Sequence, residues 1–295
     1  MKLDIGRVFS NTWAMIKQRF WLLGGMWAVF FGIQAVYFTV AGTFLVGSTM
    51  AFGAVGAGLD SPEAVLGGLG IGVILLGAIF YIGYFVILFA SQAASAILGS
   101  PMESGNFGEA LGAGFKSGLT LLGVTLLMVI LYLIFGAAYS LILVALSFLG
   151  DAAGIVGALL FFPVGIYLAL RFAVLMPVVA VERVFNPITA IRRTWEVTSG
   201  NVLGILVVTI IAIALALVFL GIPFFVIFGA AGAASLSDGD PSAALSAAAI
   251  GSMLVGFLLF LPLYVVYSIV SVVINSCLHA ELTDADQVSL EDTFS

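Results

Sequence analysis

Residues 186–201 read NPITAIRRTWEVTSGN, and residues 202–231 continue VLGILVVTIIAIALALVFLGIPFFVIFGAA. The first stretch opens on an N-cap type residue and carries two arginines. The second carries no charge and is longer than the roughly 20 residues a helix needs to cross a bilayer. A short basic helix leading into a spanning helix is the reading, and it decides the fold because the same arrangement recurs. Charge-poor apolar runs occupy 20–45, 65–98, 119–149, 154–181, 202–231 and 244–278, and only the fourth contains a charge, Arg171. Barrel strands would be about ten residues of alternating character, so the fold class is all-α, a polytopic membrane bundle of six transmembrane helices. All six runs exceed what a hydrocarbon core of about 30 Å requires, which implies tilt, kinks or helix ends in the headgroups.

Composition agrees. With 63% hydrophobic and 8% charged residues in 295, the chain cannot present the polar surface of a water-soluble globule. The first apolar run follows some 19 residues bearing Asp4, Arg7, Lys17 and Arg19, and no small-residue cleavage site closes a short apolar core, so no signal peptide is read. Cys277 is the single cysteine, which rules out an intramolecular disulfide.

Lysine and arginine placement sets the orientation. Lys2, Arg7, Lys17 and Arg19 precede the first run, Lys116 separates the second and third, and Arg183, Arg192 and Arg193 separate the fourth and fifth. The intervening segments, around Asp60 and Glu63, at Asp151, and around Asp238 and Asp240, have no base. Both termini are therefore expected in the cytoplasm and the protein in the cell inner membrane. Glu281, Asp284, Asp286, Glu291 and Asp292 stand without a base in residues 281–295. That tail reads first as solvated and disordered, second as a docking segment.

The three basic entry segments align without gaps. Asp4, Asn106 and Asn186 are cap-type residues, and each is followed by apolar residues at helical spacing, such as Ile5, Phe9, Trp13 and Ile16, or Ile188, Ile191 and Trp195. The expectation is one transmembrane domain, 1–280, of three units (about 4–100, 106–183 and 186–280), each an amphipathic helix followed by a helical hairpin. Trp13, Lys17, Arg19, Lys116, Arg192, Arg193 and Trp195 are the residue types that anchor such helices in the headgroup plane. The alternative is ordinary cytoplasmic helices packed on the bundle.

The stretch Arg171-Phe172, Pro177, Glu182, Asn186-Pro187, Ala190-Ile191-Arg192-Arg193-Thr194-Trp195, Thr198 and Gly200-Asn201 resembles the signature of the glycerophosphodiester phosphodiesterase membrane-domain family, bacterial membrane proteins of six-helix, repeat-like organisation. The resemblance covers about residues 167–205. It implies the six-helix fold and no enzymatic activity, because the phosphodiesterase of fused members needs two histidines with several carboxylates. This chain has one histidine, His279.

No phosphate loop, nucleophile elbow or zinc helix is present. Cys277 and His279 lie on different helix faces without further ligands, so neither metal nor cofactor is expected. Asp238-Gly239-Asp240-Pro241 reads as a turn, and Gly68 with Gly72 as a close-packing surface.

Arg171 carries the chemistry that remains. About ten residues from the end of its run, it stands roughly 15 Å deep, where a charge costs on the order of 3 kcal/mol unless it finds a partner or a wet cavity. Tyr84, Ser91, Gln92 and Ser95 form a polar stripe on the second helix, and Tyr264, Ser268, Ser271 and Asn275 another on the sixth. The candidate ligand site is thus Arg171 with Tyr167, Ser91, Gln92, Ser271 and Asn275, receiving an anionic group such as a lipid phosphate. Alternatively Arg171 hydrogen-bonds hydroxyls and carbonyls and locks the bundle. Two functions follow. One is a non-enzymatic inner-membrane protein binding or organising anionic lipid or supporting the envelope, with a protein partner or a second copy left open and nucleic acid excluded. The other is a transporter or channel for a small or amphipathic anion.

Overall fold

A computed structural model describes residues 3–56, 62–148, 150–227, 229 and 247–294. Its regular elements are all helical: α1 Ile5–Gly56, α2 Pro62–Gly99, α3 Phe107–Ser147, α4 Asp151–Arg171, α5 Leu175–Ala180, α6 Pro187–Val197, α7 Val202–Ala216 and α8 Ala247–Phe294, with a π-helical turn at Leu217–Gly221. Six stretches are long and apolar enough to cross a membrane, namely Ile5–Ser48, Leu75–Gly99, Phe107–Ser147, Ile155–Ala180, Val202–Ile227 and Leu254–Thr283. The chain is an all-α, multi-pass membrane protein. The loops around Asp60 and around Asp238 and Asp240 lie outside the described residues.

The three entry segments start alike. Asn106 Oδ1 accepts from the N–H groups of Gly108 and Glu109 at 3.1 and 3.3 Å. Asn186 Oδ1 accepts from Ile188 and Thr189 at 3.0 and 3.3 Å. Asp4 Oδ1 accepts from Arg7 N–H at 3.1 Å. Each cap satisfies N–H groups that the first helical turn leaves unpaired, about 1 kcal/mol apiece. Four residues on, Val8, Ala110 and Ala190 are buried; eight on, so are Thr12, Gly114 and Thr194. Nine on, Trp13, Phe115 and Trp195 are exposed.

They end differently. In α1 the entry segment runs into the span through a kink at Arg19 (φ −120°, ψ 17°), and in α3 it does so with no interruption. Only α6 is a separate helix, because Gly200 adopts φ +79° after Thr198 and stops it.

The fourth apolar run, expected as one helix, is two. α4 stops at Arg171, and residues 172–174 form a turn before α5. Pro177 accounts for the break: its ring conflicts with the carbonyl four residues back, at Ala173, whereas its missing N–H costs nothing in the first turn of α5. Pro223 acts similarly on the segment after α7, where the π-helical turn absorbs the mismatch. The acidic tail also departs from expectation, since α8 runs unbroken to Phe294, and Glu281 is buried and bonded to Arg7 at 3.2 Å.

Burial concentrates at one end of the molecule. In α3 all buried residues lie between Ala110 and Val124, and in α7 they are Ile205 and Val208. In α2 and α8 they lie toward the C-terminal ends, at Ile87–Leu98 and Ile269–Leu282. This is the end that carries the described arginines, the basic end. Here α2 and α3 approach closely. A Cβ at Gly114 would stand 2.7 Å from Ala94 Cβ, and one at Gly118 would stand 2.9 Å from the Val86 carbonyl. The close-packing glycines are this pair, at small-xxx-small spacing, while Gly72, expected in that role, faces open space. Arg19 closes the end of α2 from outside, donating to the carbonyls of Leu98 (2.8 Å), Ser100 (3.1 Å) and Glu103 (2.8 Å). A cation there meets acceptors that the helix terminus leaves free.

Toward the other end the spans touch in pairs. Tyr37 Oη donates to the Phe80 carbonyl at 2.6 Å, joining α1 to α2, and Tyr139 Oη to the Gly157 carbonyl at 2.8 Å, joining α3 to α4. Most large side chains there, such as Leu133, Ile134, Leu159, Ile213 and Leu258, are exposed.

Candidate functional site

Arg171 is the last residue of α4, and its side chain is buried, 5% exposed. Nη1 donates to Thr198 Oγ1 at 3.3 Å, and that hydroxyl sends its own proton to the Thr194 carbonyl at 2.8 Å. The guanidinium lies 4.0 Å from the centre of the Trp195 ring and 5.8 Å from that of Tyr167. The two rings meet edge to face at 6.2 Å. Nε has no hydrogen-bond partner, and no carboxylate among the described residues lies within ion-pair distance.

These partners belong to α6 and the end of α4, not to the second and sixth spans as the sequence suggested. The turn after Arg171 shifts the following chain sideways, so α6 folds back against the end of α4. Of the expected set, Tyr167 and Arg171 come together. Ser91 and Gln92 line a separate cavity between α1, α2 and α8. Asn275 faces Ala169, Ala173 and Thr209 across another, and Ser271 is half-buried on α8.

A second cation rests on a tryptophan at the matching position of the first entry segment. Lys17 Nζ stands 4.9 Å from the centre of the Trp13 ring. Both line a groove of about 560 Å³ between α1, α8 and the end of α7 with its π-helical turn, walled by Phe9, Ile16, Phe20, Phe219, Val266 and Val270. Trp13 is 61% and Trp195 38% exposed, so each ring has a face turned out of the protein. Such cation–ring contacts contribute about 0.5–1 kcal/mol when exposed and about 2 when desolvated. In the middle segment Phe115 takes the place of tryptophan and packs on Phe30 at 5.5 Å, with Lys116 exposed beside it.

Scans against protein-family models, curated proteins and solved structures return no match to this chain.

The other described arginines are engaged. Arg192 pairs with Glu196 on its own helix at 2.9 Å, and Arg183 with Glu103 and Glu109. Arg193 donates to Glu182 at 2.9 and 3.3 Å, while Glu182 also meets His279 Nε2 at 2.8 Å. His279 is wholly buried, and Thr283 Oγ1 stands 3.5 Å away. Burial alone pushes the Glu182 carboxyl up, but the hydrogen bonds and charges of His279 and Arg193 outweigh it and hold the group below its usual value. Sequence reasoning missed this cluster because Glu182 and His279 are 97 residues apart. The signal available was that the one histidine falls at the basic end. Among the described residues no group of three His, Cys, Asp or Glu could hold a metal ion.

Proposed function

We propose that the protein is a non-enzymatic inner-membrane protein, with both termini cytoplasmic, that binds and organises anionic lipid at its basic end. The observation that carries this reading is the pair of cation–tryptophan contacts, Lys17 on Trp13 and Arg171 on Trp195, in which the two tryptophans hold aligned positions of two entry segments while Lys17 comes from the same segment and Arg171 from the end of α4. Neither cation has a carboxylate within ion-pair distance among the described residues, whereas Arg7, Arg183, Arg192 and Arg193 do. A lipid phosphate supplies the missing anion at headgroup depth, and indole rings are the side chains that settle at that depth. Arg171 carries a planar fork of donors of the kind that suits phosphate, and although the side chain is buried and Nη1 is bonded to Thr198, its Nε is left without a partner among the described residues. Lys17 lies at the edge of an apolar groove that fits an acyl chain. The family resemblance of residues 167–205 supports a membrane domain without the phosphodiesterase chemistry.

Native mass spectrometry of wild type, Lys17→Gln and Arg171→Gln tests the proposal. Each substitution is expected to reduce copurifying anionic lipid several-fold while the protein remains folded. Unchanged lipid content with a lowered Tm in Arg171→Gln would make that residue a tie between α4 and α6 and sink the reading at that site.

A further inference from the structure

The cavity between α1, α2 and α8 has a chemistry unlike that of the cation–tryptophan contacts. It holds about 230 Å³ and is lined by the side chains of Gln34, Ser91, Gln92, Ser95, Tyr84, Tyr264 and Ser268 among aromatic residues. Ser268 satisfies itself by donating to the Val265 carbonyl at 2.8 Å. Gln34, Ser91, Gln92 and Ser95 make no protein hydrogen bond among the described residues. A serine within a helix ordinarily donates to the carbonyl a turn back, and two carboxamides without partners at membrane depth are costly. These groups leave donors and acceptors turned to the cavity for a bound molecule to meet. Among the described residues no charged side chain lines the cavity. A phosphate would enter it without a cation to meet it, so the lipid class proposed for the basic end is excluded here on electrostatic grounds.

We infer that this cavity binds the uncharged head of a neutral glycerolipid such as diacylglycerol. Gln34 and Gln92 each offer both a donor and an acceptor, matching the hydroxyl and ester carbonyls of such a head. The volume is below the range of about 300–1,000 Å³ that encloses a whole drug-sized ligand. It suits a glycerol head whose chains leave sideways. Phe31, Phe257 and Tyr264 on the rim are exposed on the face that meets lipid, which gives the chains their exit. The site is independent of Lys17 and Arg171, neither of which lines it.

The test uses the full chain in phosphatidylcholine nanodiscs with two photoactivatable probes, a diazirine-bearing diacylglycerol and a phosphatidylglycerol bearing the same acyl chain. Labelled peptides are mapped by mass spectrometry. The diacylglycerol probe is expected to label the segments around 27–34, 84–95 and 257–268, competed by unlabelled diacylglycerol. The anionic probe should label them about tenfold less, a difference of about 1.4 kcal/mol. Gln34→Leu/Gln92→Leu should remove the competed labelling. Ser91→Ala/Ser95→Ala, which alters the surface least, should reduce it if the first variant does not fold. Equal labelling by both probes, labelling unchanged in the variants, or no competed labelling at all, as a cavity filled by water alone would give, overturns the inference. None of these outcomes depends on anionic lipid at the basic end.

Discussion

Glu182 accepts hydrogen bonds from Arg193 and His279 and lies against helices distant in sequence. Its folded-state carboxyl is held below the usual value of 4.5. The stability this contributes is therefore fully present above that value and is lost as the pH falls through the depressed folded value. In detergent, the wild-type Tm should stay level from neutral pH down to about 4.5 and fall on further acidification. Glu182→Gln should be less stable at neutral pH, by about 1.5–3 kcal/mol for hydrogen bonds to charged groups, so its Tm should begin lower and show a weaker acid dependence. Thermal melts of both proteins across that range check this, and parallel acid limbs would assign the loss to other carboxylates. Arg171 marks the limit of residue-level reading. Its oddness is plain from one charge in an apolar run. Its partner is not, because Thr198 and Trp195 reach it only through a turn that follows from Pro177 acting on Ala173.

Among the elements, α2 and α3 form the tightest joint. Gly114 and Gly118 let the two backbones approach until Ala90 and Ala94 fill the space a side chain would need. Gly114→Leu should force the helices apart, costing about 1–3 kcal/mol or more, since overpacking is relieved only by moving backbone. Gly112→Leu, on a face with nothing within 4 Å, is the matched control and should not lower Tm, since leucine is the better helix former. A comparable loss in both would remove the close-packing account. At this scale the sequence was legible where a local rule acts. Asn106 and Asn186 start helices through their own side chains, as their type and position led one to expect. It was less legible where helices meet. Gly72 has the same spacing to a neighbouring glycine as Gly114 but no helix against it, and nothing in either run distinguishes them. The continuous α8 was hidden for a related reason: Glu281 reads as a solvent-facing acid until Arg7, 274 residues away, is placed beside it.

For the molecule as a whole, the proposed orientation, with the basic end in the cytoplasm, rests on the positive-inside rule. Reporter fusions at Asp60, Asp151 and Asp238 should give the signal of the opposite side, and fusions after the C-terminus a cytoplasmic one. A cytoplasmic signal at any of the three would reverse the assignment. The hydropathy runs made the spans legible. The uneven distribution of packing across the bilayer was not, because apolar residues facing lipid and apolar residues facing protein look the same in a sequence when the solvent is itself apolar.

That uneven packing gives the two leaflets different roles. At the basic end the helices hold one another through buried side chains, while toward the other end they hold one another in pairs and lipid tails supply the rest of their surroundings. Lateral pressure in the leaflet around the paired ends therefore acts on the gaps between pairs, and in the leaflet around the basic end it acts on a more tightly packed body. A change in chain length or unsaturation of the lipids around the paired ends should splay or gather the pairs about the better-packed basic end.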